Sequence, residues 1–473
     1  MEEILSVGID IGTSTTQLVF SRLAIGDTAG FFSAPRIVFL GKRVVYKSGV
    51  YFTPLLGPTA IDGAAVREIV AREYEKAGFR PQDVSTGAVI ITGESARKEN
   101  AAEVLRRLSD FAGDFVVSTA GPDLESVIAG KGSGAFQKSL EQSSAVVNLD
   151  VGGGTTNVVR FAEGEAVSVG CLDVGGRLVR IGAGGLVESV SPAAGEVMKE
   201  LGISLRPGEP AAGQTLRRVT DRMALLLAEL LGLAPAEPLL ARVKTPGSSD
   251  YRPAAAQEYV FSGGVAACME REEQDVFAYG DIGVLLARSI RSLFQTLPCR
   301  FRAGAETVRA TVVGAGTYTT SLSGGTISYT DGVFPIKNLP VLRLTAREEA
   351  DCFRGDGEGL RQRLGWFLRQ SDTGRAAVCL RGKPDPDYEE LKNLARSLSD
   401  ALNGALEQNE PVVVSVECDI AKALGNTMRR LLPDRRVAVI DSVRVGQMDY
   451  LDIGKPLMNG LAVPVVVKSL LFG

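Results

Sequence analysis

The chain has 473 residues, 45% of them hydrophobic and 23% charged, and this length and composition predict two to four ordinary globular domains. A formal net charge of −4 with no basic block excludes nucleic acid as the main partner. Because the sequence contains no histidine, a Ser-His-Asp triad, a histidine general base, a histidine zinc site and a histidine ligand to cobalt are also excluded.

No targeting or membrane segment is predicted. The N-terminus, Met1-Glu2-Glu3, lacks the basic region and apolar run of a signal peptide. The longest apolar stretches, 223–233 and 461–467, are too short to span a bilayer. None of the six cysteines forms a Cys-x-x-Cys pair, so we expect reduced thiols and a cytoplasmic location.

The first predicted motif is a hairpin near the N-terminus. Residues 7–20 (VGIDIGTSTTQLVF) form an apolar run that ends at Asp10, a turn that begins at Ile11-Gly12, and a second apolar run. Four hydroxyl side chains follow the glycine, and they are Thr13, Ser14, Thr15 and Thr16. The pattern predicts two strands with an acid where the first strand leaves the sheet.

Alternating strands and helices are predicted between this hairpin and residue 130. Residues 92–95 (TGES) either contact a phosphate or a partner, or cap the helix that follows them. The predicted elements are a strand or hairpin at 36–48, a helix at 62–77, a strand at 87–94, a helix at about 95–108, a strand at 115–118 and a helix that ends near Gly130.

The second hairpin repeats the first about 140 residues later. Residues 146–159 (VVNLDVGGGTTNVV) form a strand that ends at Asp150, three glycines, two threonines and a second strand. The glycines let main-chain N–H groups approach a ligand, and Thr155 and Thr156 add hydroxyl donors. An anion beside an acid usually needs a metal between them, so a phosphate with Mg²⁺ is predicted. A plain tight turn is the alternative for either hairpin alone, and the repetition favours the phosphate site.

The chain then changes character before it returns to a third glycine motif. Seven prolines interrupt residues 192–253, around a predicted helix with an apolar stripe from Leu216 to Leu231, and this predicts an inserted subdomain. Residues 258–266 (EYVFSGGVA) predict a strand that ends in Ser262, Gly263 and Gly264, and residues 281–296 predict a second connecting helix.

The last third is predicted to be an α/β unit. Residues 310–320 (ATVVGAGTYTT) resemble the N-terminal hairpin without its acid, so a structural hairpin is predicted rather than a phosphate site. The other predicted elements are a helix around 346–370, a strand at 376–380, a helix from Asp387 to about 407, a strand at 411–416, a helix at 419–432, a strand at 436–441 and a final strand at 461–472.

Two Asp-Gly hairpins followed by a Ser-Gly-Gly strand resemble the actin-like ATPases, which include actin, sugar kinases and heat-shock chaperone ATPases. The resemblance implies an α/β fold in which two related half-domains enclose a nucleotide cleft. The expected units are a first half-domain at 1–145, a second at 146–300 with the inserted subdomain at about 190–255, and a C-terminal α/β region at 301–473.

A narrower resemblance covers essentially the full length. The segments 92–101 (TGESARKENA), 120–135 (AGPDLESVIAGKGSGA), 312–324 (VVGAGTYTTSLSG) and 449–472 (DYLDIGKPLMNGLAVPVVVKSLLF) are together similar to the EutA family of ethanolamine utilisation. This implies a reactivating factor for adenosylcobalamin-dependent ethanolamine ammonia-lyase, which uses ATP and Mg²⁺ to promote exchange of damaged cobalamin for intact adenosylcobalamin. It also implies a slow, chaperone-like Mg-ATPase in association with a bacterial microcompartment.

The resemblance implies a role for each motif residue. Asp10 and Asp150 would hold the hydrated Mg²⁺, and Asp123 or Glu125 would orient the attacking water. The residues expected to wrap the phosphates are Gly12, Thr13, Ser14, Thr15, Gly152, Gly153, Gly154 and Thr155. The residues expected to flank the nucleoside are Ser262, Gly263 and Gly264. Cobalamin would be handled through the lyase, because this chain has no histidine to coordinate cobalt.

Three rival hypotheses remain. A small-molecule kinase of the same fold would need an acceptor pocket with a catalytic carboxylate, which the sequence does not identify. A non-catalytic nucleotide-sensing scaffold would bind ATP only to change shape. A chain with one degenerate hairpin would bind no nucleotide at all.

Overall fold

The computed structural model describes most of the chain. The described residues are 2–29, 37–57, 60–92, 95, 98–112, 116–119, 121–270, 273–318, 320–370, 374–446 and 449–469. Parts of seven predicted features lie outside them. These parts are Arg36 of strand 36–48, Gly93 and Glu94 of strand 87–94 and of segment 92–95, Ala96 and Arg97 of the helix at about 95–108, Phe115 of strand 115–118, Thr319 of segment 310–320, and the last three residues of strand 461–472.

The first sheet is built around the N-terminal hairpin. Strand β1 is flanked by β2 on one side and β5 on the other, in the order β3-β2-β1-β5-β6, and β4 pairs with the start of β2. Strands β1 to β3 run antiparallel, whereas β5 and β6 run parallel to β1. The elements are β1 Glu2–Ile11, β2 Thr15–Asp27, β3 Ile37–Lys47, β4 Tyr51–Phe52, α1 Gly63–Ala77, β5 Thr86–Ile91, α2 Ala101–Ala112 and β6 Val116–Thr119. Two further helices follow, α3 Pro122–Gly132 and α4 Ala135–Glu141.

The second sheet repeats this topology. Its order, β9-β8-β7-β12-β13, has the same antiparallel run of three strands and the same two parallel strands. The strands of this sheet are β7 Ala145–Val151, β8 Thr156–Ala162, β9 Glu165–Leu172, β12 Glu258–Ser262 and β13 Phe301–Ala303. Strands β10 Val179–Ile181 and β11 Val187–Val190 pair with each other in a separate two-stranded sheet. The helices are α5 Pro192–Glu200, α6 Gly213–Leu230, α7 Pro238–Arg242, α8 Gly263–Met269 and α9 Gly283–Phe294. Two half-domains with one shared topology confirm the predicted actin-like fold.

Helix α6 carries the apolar stripe predicted for the inserted subdomain. Leu216, Val219, Met223 and Leu227 are all fully buried. They belong to one hydrophobic core with residues of β7 and β8. The insertion is therefore packed on the second half-domain.

Helix α10 (Ala310–Tyr318) corrects two predictions. Residues 310–318 were predicted as a hairpin, and they form a helix. Helix α9 was predicted to connect the half-domains, and this prediction is also wrong, because α9 packs on α6 and α8. Helix α3 follows the first sheet in the chain but packs on the second, whereas α10 follows the second sheet and packs on the first. The two helices also pack on each other, so α3 and α10 are the elements that cross between the half-domains.

Glycines make the α3–α10 contact possible. A Cβ atom added at Gly132 would lie 1.8 Å from the carbonyl oxygen of Ala310, and one added at Gly314 would lie 2.0 Å from that of Ile128. Such distances allow no side chain, so the two backbones touch directly. The β-branched and glycine residues that suggested a strand turn are therefore used for close helix packing.

The C-terminal region is an eight-stranded sheet in the order β14-β21-β20-β16-β17-β18-β19-β15. Its strands are β14 Ser321–Gly324, β15 Ser328–Tyr329, β16 Ile336–Arg343, β17 Ala377–Leu380, β18 Val412–Val416, β19 Val437–Asp441, β20 Asp449–Ile453 and β21 Ala462–Ser469. Its helices are α11 Ala346–Phe353, α12 Glu358–Gln370, α13 Tyr388–Ala405 and α14 Ala421–Leu431. Strands β16 to β19 are parallel, and a capping box between Asp387 and Glu390 begins α13. The predicted α/β alternation is confirmed.

The boundaries of the three units stay a prediction. In the structure, β13 pairs with β12 of the second sheet and α10 packs on the first, and we propose that the C-terminal unit starts near Ser321. A buried cluster joins that unit to the first half-domain, and its members are Ile4, Leu23, Ile25, Ile37, Leu457 and Ala462. Across the described part of the chain, no helix has the length and apolar character needed to cross a bilayer.

Candidate functional site

The two hairpin turns have the same geometry. Asp10 lies opposite Gln17 in the β1–β2 register, and Asp150 lies opposite Asn157 in the β7–β8 register. Each turn is closed by the same main-chain hydrogen bond. The Gly12 N–H donates to the Thr15 carbonyl oxygen at 2.8 Å, and the Gly152 N–H donates to the Thr155 carbonyl oxygen at 2.9 Å.

The turns face each other across the cleft between the half-domains. A Cβ atom added at Gly153 would lie 2.5 Å from the Oγ of Ser14, which belongs to the opposite turn. That Oγ is buried and has no hydrogen-bond partner among the described residues. The predicted phosphate-wrapping residues at 12–15 and 152–155 therefore belong to two turns that meet at one place, where a polar ligand group would satisfy the Ser14 hydroxyl.

Asp10 is 7% exposed, and its Oδ1 accepts a hydrogen bond from the Thr92 hydroxyl at 2.9 Å. Burial raises the pKa of Asp10 from 3.8 to about 7. The Thr92 hydrogen bond lowers this pKa, and the nearby Asp150 charge raises it. Thr92 thus contacts the acid of the first turn, and the Ser95 hydroxyl donates to the Gly12 carbonyl oxygen at 3.0 Å. Thr92 and Ser95 therefore both form hydrogen bonds that support the first turn.

Asp150 is equally buried and is held by two hydroxyl groups. Ser262 Oγ donates to its Oδ1 at 2.6 Å, and Thr311 Oγ1 donates to its Oδ2 at 3.3 Å. Burial raises the pKa of Asp150 to about 6, although both hydroxyl groups lower it. Thr311 lies on α10, so a crossing helix contributes directly to the acid of the second turn.

The donor set fits a hydrated Mg²⁺. The Oε1 of Gln17 and the Oδ1 of Asn157, on the strand positions opposite the two acids, are buried without hydrogen-bond partners among the described residues. Two carboxylates that repel each other, together with two unpartnered amide oxygens, suit a hard cation that keeps several waters. Within the described ranges, no group of three or more Asp, Glu, Cys or His side chains is placed to hold a metal ion.

The Ser-Gly-Gly segment holds the Asp150 carboxylate through its serine and leaves open space at its last glycine. Ser262 is fully buried, donates to Asp150 and accepts a hydrogen bond from Asn148 Nδ2 at 3.1 Å, so it orients the carboxylate. Gly263 has φ of +90°, and an added Cβ there would lie 2.3 Å from the Val151 carbonyl oxygen. Gly264 is exposed, with no atom within 4 Å of an added Cβ, which leaves room for a nucleoside.

The two acids in the first turn of α3 have different surroundings. Asp123 accepts hydrogen bonds from the Ser249 N–H at 3.0 Å and the Ser249 hydroxyl at 2.5 Å, close to the insertion. Glu125 lines a cavity of about 10 Å³ with Thr92, and such a cavity has room for about one water molecule. Glu125 and Thr92 therefore line the same cavity, whereas Asp123 is hydrogen-bonded to Ser249.

Several residues of this site have no counterpart in the sequence prediction. The shared spacing of Gln17 and Asn157, each seven residues after the motif aspartate, was a signal that the prediction did not use. Thr311 gave no such signal, because it lies in the segment that was predicted as a hairpin.

Comparison with known proteins identifies relatives over the full length. Residues 2–473 match the family model described as "Ethanolamine utilisation protein EutA". The chain is 38% identical over 473 residues to the "Ethanolamine ammonia-lyase reactivase EutA" of Salmonella typhimurium, with 99% of each chain covered. It is 37% identical over 474 residues to the protein of the same name from Escherichia coli, again with 99% of each covered. The solved Aquifex aeolicus PPX-GPPA enzyme is 15% identical, with 66% of this chain and 99% of that chain covered and a TM-score of 0.39.

Proposed function

This chain belongs to the EutA family, and from that membership we propose that it reactivates ethanolamine ammonia-lyase with the help of ATP. The observation that carries the proposal is the identity of 37–38% to two proteins named ethanolamine ammonia-lyase reactivases, over 99% of each chain. The partner enzyme is therefore proposed to be ethanolamine ammonia-lyase. The proposal includes a cytoplasmic location, in association with a bacterial microcompartment, which rests on the family alone.

The geometry of the cleft supports ATP and Mg²⁺ as the ligands. Two glycine-containing turns offer main-chain N–H groups and hydroxyl groups to the phosphates from opposite sides. Asp10 and Asp150 would hold the hydrated metal ion, and Ser262 and Thr92 would fix the orientation of these carboxylates. The exposed Gly264 leaves space for the nucleoside.

Hydrolysis would depend on positioning rather than on a strong base. When bound, Mg²⁺ would neutralise the charge that develops on the phosphates. The turns at 12–15 and 152–155 would hold the terminal phosphate, and Glu125 would accept a hydrogen bond from the attacking water in the cavity beside Thr92. With no histidine in the chain, we expect slow turnover, which suits a conformational switch.

The switch would act through the two half-domains. Each half-domain contributes one turn, so a triphosphate that binds both turns favours a closed cleft, and hydrolysis releases one of these contacts. Such a change alters the lyase only if the two states bind it with different affinity. We propose that this difference opens the lyase, so that damaged cobalamin leaves and intact adenosylcobalamin enters without being coordinated by this chain.

A reactivation assay tests the proposal. Ethanolamine ammonia-lyase carrying an inactive cobalamin is mixed with this protein, fresh adenosylcobalamin and Mg-ATP, and the production of acetaldehyde is followed. We expect the wild-type chain to restore activity and the variants Asp10→Asn and Asp150→Asn to fail. Asp331→Asn, in an exposed turn of the C-terminal unit, is the matched control and should behave as the wild type.

Two results would count against the proposal. ATP consumption without recovery of the lyase would refute the reactivase function while leaving the nucleotide site intact. Full recovery with Asp10→Asn and Asp150→Asn would show that these acids do not hold the metal.

A further inference from the structure

An exposed aromatic ring belongs to strand β4, which pairs with the start of β2 beside the first turn. Phe52 is 74% exposed, and the guanidinium carbon of Arg177 lies 5.5 Å from the centroid of its ring. Phe52 belongs to the first half-domain and Arg177 to the second. This cation–π contact therefore bridges the two half-domains.

The Phe52 side of the contact is bonded to the first turn. Strand β4 pairs with the beginning of β2 at Thr15 and Thr16. The next residue, Thr53, donates its N–H to the Ser14 carbonyl oxygen at 3.1 Å and its hydroxyl to the Gly12 carbonyl oxygen at 2.8 Å. A movement of the first turn would therefore move the ring.

The Arg177 side is bonded to the second turn. The Arg177 N–H donates to the Gly153 carbonyl oxygen at 2.7 Å, and the Gly176 N–H donates to that of Gly152 at 3.0 Å. The Cβ of Arg177 lies 3.4 Å from the position of a Cβ added at Gly153, on the side where Ser14 approaches. The long side chain starts beside both turns, and Asp281 is a nearby opposite charge.

From this geometry we propose that Arg177 is the residue that distinguishes ATP from ADP. It exchanges the ring of Phe52 for the terminal phosphate when the triphosphate binds. The exchange is favourable because a cation–π contact at an exposed site is weak, whereas a guanidinium binds phosphate through two charge-assisted hydrogen bonds. The inference rests on the proposed nucleotide site and adds a sensor to it.

The test uses an indole as a reporter. Trp366 is the only tryptophan of the chain, and it lies on α12 of the C-terminal unit. Phe52→Trp in a Trp366→Phe background places the sole indole against Arg177, and its high exposure means that the larger ring needs no space in the core. Binding of a non-hydrolysable ATP analogue and of ADP, each with Mg²⁺, is measured by calorimetry, and indole emission and quenching by acrylamide are recorded in parallel.

We expect the ATP analogue, but not ADP, to change the emission and to increase quenching. Arg177→Ala should remove the difference and weaken binding of the analogue by about 10- to 100-fold, with at most about a threefold effect on ADP. Arg177→Lys keeps the charge but lacks the planar guanidinium, so it should give an intermediate loss.

Two outcomes would overturn the inference, and they are distinct from failure of the nucleotide site. If both nucleotides bind and the indole emission is the same with each, Arg177 does not sense the terminal phosphate. If Arg177→Ala weakens both nucleotides equally, the residue has a general structural role. If calorimetry shows that neither nucleotide binds to the parent protein, the proposed nucleotide site fails and this inference fails with it.

Discussion

The burial of Asp10 predicts that the metal-free protein loses stability as this carboxylate ionises, although the ionised form is the one that binds a metal ion. The pKa of Asp10 is raised by burial from 3.8 to about 7. A group whose pKa is raised on folding stabilises the protein below its unfolded pKa, and this stability is lost as the pH rises through the folded pKa. Without Mg²⁺ and nucleotide, the wild type should therefore become less stable between about pH 4 and pH 7.

Asp10→Asn removes the charge and keeps an oxygen for the Thr92 hydroxyl. A shift of about three pKa units at 1.36 kcal/mol each gives an upper limit of about 4 kcal/mol. We therefore expect the metal-free variant to be up to about 4 kcal/mol more stable than the wild type at pH 8, with little difference at pH 4.

Urea unfolding at pH 4 and pH 8, without metal, measures this difference from the shift of the midpoint at unchanged slope. Addition of Mg-ATP should then stabilise the wild type at pH 8 much more than the variant, because the ion and the nucleotide bind only the folded state. Asp331→Asn is the control for a change of one exposed charge. The reasoning is refuted if wild type and Asp10→Asn show the same dependence on pH, or if Mg-ATP stabilises both equally.

Three further predictions concern the site and the crossing helices. Glu125→Gln should lower the ATPase kcat by about 100-fold or more, whereas Asp123→Asn should leave it within about twofold; equal losses would show that the cavity beside Thr92 is not the water site. Ser262→Ala removes a hydrogen bond from Asp150 and should raise the pKa of this carboxyl. The variant should therefore need about tenfold more Mg²⁺ than the wild type at pH 6.5, and the increase should be smaller at pH 8.5; a Mg²⁺ titration at both pH values checks this. Gly314→Ala should lower the urea midpoint by an amount equivalent to about 1–3 kcal/mol despite the better helix propensity of alanine, and a higher midpoint would contradict the direct backbone contact of α3 and α10.

The motif residues were predictable because their patterns are local. An apolar run, an acid, glycines and hydroxyl residues lie within 14 consecutive positions of each hairpin, and strand pairing across a short turn depends mainly on those positions. The capping box of α13 is local in the same sense. The sequence alone therefore determined the two hairpins and the alternation of strands and helices in the C-terminal unit.

The tertiary structure decided which distant residues complete the site. Thr311 reaches Asp150 across 161 positions, and Phe52 meets Arg177 only because the half-domains face each other. Helix α10 forms from a glycine-rich, β-branched segment because its backbone packs on α3, which outweighs the local preference for a strand. The surroundings of Asp123 and Glu125 also depended on packing, since both lie in one helical turn and only their long-range neighbours differ.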